Sequence, residues 1–190
     1  AIFIASFFLK THELTAITLL GTATTIAYTP ILKNITFVKN LSVASIVTLA
    51  PVLGAIATSD NFYDALSDPT LRLPALFIST FVAQVHQELL MDLSDTENDK
   101  ASGINTIPTL FGKEKTILLS GVLLYIMAFN ACNSDNPTVV YGALAPSIVM
   151  FYDASIVKKN IGSSLEKNKI DTAIDRLKYT TSLIFMTFVI

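Results

Sequence analysis

The sequence predicts an all-α, multi-pass membrane protein: one transmembrane helical bundle over residues 1–190, with about seven helices of which the first and last are partial. Three observations carry this reading. Of the 190 residues, 52% are hydrophobic and 15% charged, against about 25% charged in soluble domains. Apolar stretches of helical length recur between short polar loops, and only helices and closed barrels satisfy the backbone in lipid; the strict alternation of barrel strands is missing from the pattern. Basic residues also collect in alternate loops. The same composition argues against other classes. Lys+Arg 13 against Asp+Glu 15 leaves a net charge of −2 and no basic surplus for nucleic acid. The single cysteine, Cys132, has no partner within the chain for a disulfide framework.

The elements follow in order. The run at about 1–9 is shorter than the roughly 20 residues a span needs. It also lacks the charged start of a signal peptide, so it is expected to be a partial helix of a longer membrane protein. The next span, at about 13–28, is rich in threonine (Thr15, Thr18, Thr22, Thr24, Thr25), whose hydroxyls are expected to bond to helix carbonyls rather than to substrate. Spans at about 41–58 and 138–157 contain Pro51 and Pro146, which neighbouring helices can accommodate. The span at about 73–91 runs directly into an acidic segment. A further span at about 116–132 ends at Cys132, expected as a buried or interfacial thiol, and a last partial span covers about 177–190. The acidic stretch with Asp60, Asp64 and Asp68 reads as a solvated loop.

Charge sets the expected orientation. With alternating crossings, loops 29–40, 92–115 and 158–178 share one side. They hold Lys33, Lys39, Lys100, Lys113, Lys115, Lys158, Lys159, Lys167, Lys169, Arg176 and Lys178, whereas Lys10 and Arg72 fall on the other side, a split of 11 to 2. By the positive-inside rule the basic side faces the cytoplasm, or the matrix or stroma of an organelle. The tripeptides Asn34-Ile35-Thr36 and Asn40-Leu41-Ser42 lie on that side, so they are expected to be chance matches to a glycosylation signal. The basic 158–178 segment is expected to act as a topology determinant that also touches anionic headgroups.

Chemistry concentrates in residues 84–112. At about 100° per residue, Glu88, Asp92, Asp95 and Asp99 fall within about 60° of one helix face, over roughly 16 Å. Burying such a stripe near a membrane is costly, at about 2.5–3.5 kcal/mol for one Asp at the bilayer centre, and the carboxylates repel one another. A cation would relieve both penalties, and Mg²⁺ is typically held by one or two carboxylates plus substrate phosphates. The blander alternative is a solvated helix end. An EF-hand does not fit: a loop starting at Asp95 puts Lys100 where glycine is required and Thr106 where the bidentate Glu belongs. Gln84 shares the stripe's face, whereas His86 lies about 160° away and is expected to pack.

The pattern Asp92-x-x-Asp95-x-x-x-Asp99-x-x-x-Gly103-x-x-Thr106-x-Pro108-x-x-x-Gly112 resembles the second aspartate-rich motif of the UbiA superfamily of intramembrane prenyltransferases. Upstream, Tyr28-Thr29-Pro30-Ile31-Leu32-Lys33, followed by Lys39-Asn40 opening the next helix, resembles that family's Tyr…Lys loop. The resemblance implies an enzyme that moves a polyprenyl group from an isoprenyl diphosphate to a small acceptor, of the aromatic or glycerol-phosphate type, with Mg²⁺ as cofactor. Asp95 and Asp99 match the principal metal carboxylates, with Asp92 as an additional ligand. Lys33 matches a diphosphate contact and Tyr28 a tyrosine at the reacting end of the prenyl chain. Glu88 and Gln84 are candidate substrate contacts, and no obligate protein partner is implied.

Three departures qualify the match. The family's first motif does not occur before Tyr28, so the fragment alone is expected to be inactive. Asn34 stands where many aromatic-acid prenyltransferases have a second basic residue. Gln87 and Met91 replace the Arg and Lys that flank the Glu in the archaeal lipid-ether branch, which Asp-x-x-Asp-x-x-x-Asp otherwise resembles. Two other function classes are a transporter fragment whose aspartates bind a translocated cation, and a degenerate member that only binds prenyl lipid. The transporter predicts carboxylates near the bilayer midplane; here they cluster at a helix end. Sequencing the gene upstream of Ala1 checks the family reading: two further apolar helices with an Asn-x-x-x-Asp-x-x-x-Asp run are expected, and a start codon at Ala1 points to degeneracy.

Overall fold

The computed structural model describes residues 12–32, 35–59, 62–68 and 72–189. The expected partial helix at 1–9 lies outside the described residues. Those described are all helix and connecting loop: α1 (His12–Tyr28), α2 (Val38–Thr58), α3 (Phe62–Ser67), α4 (Leu73–Ala101), α5 (Ile107–Phe111), α6 (Lys113–Cys132), α7 (Pro137–Asn160) and α8 (Glu166–Val189). Three of them, α2, α6 and α7, are long and apolar enough to cross a membrane by length and composition. Fewer qualify among the described residues than the hydropathy pattern suggested: α1 has only 17 residues, and α4 and α8 each join an apolar half to a charged one.

Helix α4 is the axis of the bundle and packs against α2, α3, α5, α6, α7 and α8. Its 29 residues extend roughly 43 Å, more than the roughly 30 Å of a hydrocarbon core. The acidic final turns therefore project past one end of the apolar zone. Its neighbours also explain how α4 tolerates Gln84, His86 and Gln87 at mid-helix, since a helix enclosed by protein need not be apolar all round. The main core lies where α4, α6, α7 and α8 meet, with Leu90, Leu93, Leu124, Met127, Met150, Ile170 and Ile184 all at or below 2% exposure. A second cluster, Leu14, Val52, Ile56, Ala65 and Leu73, closes the other end.

The last helix corrects the sequence reading. The segment 158–178 is not a loop: only residues 161–165 connect α7 to α8. Its charge density hides an apolar stripe, Ile170, Ala173 and Leu177, which is buried while Lys167, Asp171, Asp175 and Arg176 stay exposed. The short helices α3 and α5 were also not anticipated. Cys132 is exposed at the last turn of α6, which excludes the buried alternative and leaves the interfacial one. The Thr-rich helix behaves as expected: Thr22, Thr24 and Thr25 donate to the carbonyls of Thr18, Leu20 and Gly21.

One end of the bundle gathers the three connections predicted to share a side. Thr36 Oγ1 donates to the Asn105 carbonyl at 2.8 Å, and the rings of Phe37 and Phe111 meet at 5.8 Å. Lys113 Nζ reaches Glu166 Oε1 at 2.7 Å and Glu97 at 3.2 Å, while the Gly162 N–H donates to Glu166 Oε2 at 2.6 Å. At the opposite end the Phe62 N–H donates to Glu13 at 2.6 Å.

Burial pushes the Glu166 carboxyl up, but the Lys113 and Gly162 hydrogen bonds outweigh it and hold the group below the usual glutamate range. A depressed folded value means that this stabilisation is present above the unfolded pKa and lost as pH falls through the folded one. Glu166→Gln is expected to cost about 1–2 kcal/mol at pH 7 and to flatten the acid limb of stability, read by thermal unfolding in detergent at pH 7 and pH 3.

Candidate active site

The site is built where α2 begins beside the acidic half of α4. The chain enters α2 through a tight turn: Phe37 takes φ 68 and ψ −48, and the Val38 N–H donates to the Thr36 carbonyl at 2.9 Å. This is a γ-turn, a strained geometry for a residue with a Cβ. It places Lys39 and Asn40 on the first turn of α2 against α4. Lys39 Nζ lies 2.5 Å from Asp92 Oδ1, and Asn40 Nδ2 donates to Asp92 Oδ2 at 3.0 Å. Asp92 is 5% exposed and Asn40 2%, so both oxygens of a buried carboxylate are satisfied, one by charge and one by an amide.

The glycines and threonine of the 92–112 pattern position the other end of the stripe. Gly103 sits at φ 67, a left-handed conformation that suits glycine, and the Ile104 N–H donates back to the Asp99 carbonyl at 2.8 Å. The chain reverses there, and Thr106 begins α5 as its N-cap in a capping box with Thr109. The buried Thr106 side chain also lies near the Asp99 carboxylate. Burial raises the Asp99 carboxyl above the usual aspartate range, against the opposing pulls of Thr106 and Lys39. Pro108 enters the first turn of α5, and Gly112 at φ 89 joins α5 to α6.

The predicted residues thus fall into different environments. Asp92 is buried and engaged, Asp95 is exposed, and Asp99 is half-buried within electrostatic range of Lys39, Asp92 and Asp95. Glu88 lies one turn before Asp92 and Gln84 one turn before Glu88, both half-buried. Tyr28, half-buried on the last turn of α1, lies within electrostatic range of Glu88, Lys39 and Asp92. Lys33 lies outside the described residues. His86 is 1% exposed and shares a hydrogen bond with Ser120 of α6, a packing role as its angle predicted. Sequence reasoning quoted Lys39 and Asn40 but did not select them. The available signal was a lysine and an asparagine opening an otherwise apolar span.

Among the described residues, no group of three or more His, Cys, Asp or Glu side chains is placed to hold a metal ion. Within the stripe, Asp92 is already paired with Lys39. The open carboxylates, Asp95 and Asp99, are one helical turn apart and present hard oxygen donors, which suits a cation completed by phosphate oxygens. Beside this site, α1 and α2 enclose a groove of about 740 Å³, lined by residues such as Ile17, Gly21, Ile26, Ile46, Leu49 and Leu53. On α1 it extends to Ile26, two residues before Tyr28.

The sequence profile of the UbiA prenyltransferase family matches residues 1–173. The chain belongs to that family. It is 27% identical over 168 residues to digeranylgeranylglyceryl phosphate synthase of Pyrococcus horikoshii, covering 87% of this chain and 56% of that protein. The enzyme of the same name from Pyrococcus abyssi is 26% identical, over 88% of this chain and 56% of its own length. A solved structure from work on digeranylgeranylglyceryl phosphate synthase in membranes superposes with a TM-score of 0.72 at 16% identity, covering 98% of this chain and 63% of that one. This UbiA family chain therefore spans somewhat over half the length of these relatives, and the solved structure shares its fold.

The Lys39–Asp92 contact is directly testable. Lys39→Ala leaves a buried carboxylate without its cation and is expected to cost about 3 kcal/mol. The double variant Lys39→Ala/Asp92→Ala is expected to be more stable than Lys39→Ala alone. Chemical unfolding in mixed micelles reads both, and strict additivity of the two substitutions would contradict the pairing.

Proposed function

We propose that this UbiA family membrane protein works as a Mg²⁺-dependent prenyltransferase that moves a polyprenyl group from an isoprenyl diphosphate to a glycerol-phosphate-type hydroxyl. The observation that carries this reading is the meeting, at one end of the bundle, of a lysine, two open carboxylates and a tyrosine beside an apolar groove. The acceptor class is supported by the names of the relatives and by the Asp-x-x-Asp-x-x-x-Asp spacing of α4.

In this reading the diphosphate sits at the basic end, where Lys39 lies beside Asp92; Lys33, outside the described residues, is assigned a diphosphate contact on the strength of the family motif alone. Asp95 and Asp99 would hold Mg²⁺, which draws charge from the departing diphosphate as a Lewis acid. Asp92, paired with Lys39 and Asn40, is a positioning residue: it ties the start of α2 to α4 and so holds Lys39 beside the open carboxylates. The prenyl chain lies along the α1–α2 groove, whose apolar walls exclude water from the allylic centre and suppress hydrolysis. Tyr28 presents its ring near the reacting end, where an aromatic face stabilises developing positive charge. Glu88 and Gln84 offer half-buried polar groups to the acceptor. The basic end faces the cytoplasm or its organellar equivalent.

The test uses the full-length protein in nanodiscs with geranylgeranyl diphosphate and a monoprenylated glycerol phosphate. Diphosphate release is expected with Mg²⁺ and not with chelator. Asp95→Ala and Asp99→Ala are each expected to slow it at least ~100-fold while leaving the helix content and melting temperature unchanged. Release that is absent under every condition, or unaffected by both substitutions, overturns the proposal.

A further inference from the structure

On the face of the bundle away from α1 and α2, helices α6 and α7 leave a groove of about 350 Å³ that takes no part in the site above. Its origin is local. α6 carries Gly121 at the level where α7 carries Ala154 and Ser155, and these three small residues leave the space between the flanking larger side chains unfilled. A Cβ placed on Gly121 would meet no atom within 4 Å, so the space beside it is open. The walls are apolar, from Val122, Phe151 and the ring of Tyr125. From Ile117 to Tyr125 the groove follows nine residues of α6, about 12 Å. That is long enough for the upper part of one extended acyl chain.

The two ends of this groove differ in charge. Lys158, on the last turns of α7, forms one end. No described carboxylate pairs with it. The Ser155 hydroxyl donates to the Tyr152 carbonyl, so the charge there belongs to the lysine alone. Lys158 lies on the last turns of α7, past the apolar lining of the groove. Long lysine stems reach headgroups from this depth.

We propose that the α6–α7 groove is a binding site for one anionic phospholipid of the surrounding membrane, with its phosphate on Lys158 and one acyl chain laid over Gly121. An apolar channel with one unpaired cation at its headgroup end matches the charge and length of such a lipid. It matches a zwitterionic lipid less well, because the choline or ethanolamine cation competes for the same region. The site is independent of the prenyl-transfer reading.

The experiment is native mass spectrometry of the full-length protein released from nanodiscs made of equal parts phosphatidylglycerol and phosphatidylcholine. One phosphatidylglycerol is expected to be retained about fivefold over phosphatidylcholine. Lys158→Gln and Gly121→Leu are each expected to bring the ratio to near parity, the first by removing the phosphate contact and the second by filling the channel. Lys159→Gln, which removes an exposed neighbouring charge outside the groove, is expected to leave the ratio unchanged. Parity in the unsubstituted protein overturns the proposal. So does an equal loss in the Lys158 and Lys159 variants, which indicates diffuse attraction to a basic surface. If Gly121→Leu does not fold, the contrast between Lys158→Gln and Lys159→Gln still decides.

Discussion

The arrangement of this protein depends on how it neutralises a carboxylate buried between two helices. Asp92 stands on the central helix α4 at 5% exposure, and an unpaired charge there would be prohibitive. Lys39 and Asn40 supply the cation and the amide from the first turn of α2. That requirement fixes the register of α2 against α4 and the direction from which the chain enters α2. The left-handed backbone of Phe37 is the conformational cost of that entry. Thr36 and Phe37 offset part of it by docking on Asn105 and Phe111. One ion pair thus couples the loop before α2 to the connection after α4, and these two loops flank the open carboxylates.

The same end of the bundle divides its charge among distinct tasks. Lys113 and Glu166 join α6 to α8 and are consumed by each other and by Glu97. Arg176 is committed to Asp153 at 3.0 Å and lies over the ring of Tyr152. Asp95 stays open, and Asp99 is half-buried near Thr106. Lys158 faces outward at the end of an apolar groove. Basic residues that look equivalent in a loop census therefore differ according to the carboxylate each one meets, or does not meet.

Much of this was legible in the sequence, for identifiable reasons. Helical periodicity put Glu88, Asp92, Asp95 and Asp99 on one continuous helix, and set His86 apart as a packing residue, because an α-helix rotates by a constant angle per residue. The resemblance carried by Gly103, Thr106, Pro108 and Gly112 pointed to the family, and the structure supplies the mechanics: a left-handed glycine cap, an N-cap, a first-turn proline and a second positive-φ glycine. The start of α8 was misread, since charged residues outnumber the Ile170, Ala173 and Leu177 stripe in any local average. Hydropathy averages over all faces of a helix, whereas burial needs only one.

Sequence alone was sufficient for the class of the molecule: an all-helical membrane bundle with an acidic stripe on one helix and most of its basic residues in alternate connections. These are properties of composition and of fixed helical geometry, so they survive without knowledge of neighbours. Only the tertiary structure decided which member of the stripe is spent. Asp92 is claimed by Lys39, 53 positions away, because α2 lies against that turn of α4. Asp95, a single turn further, clears the end of α2 and meets solvent. The difference between a structural carboxylate and an available one lies in what packs opposite, and no local pattern encodes that.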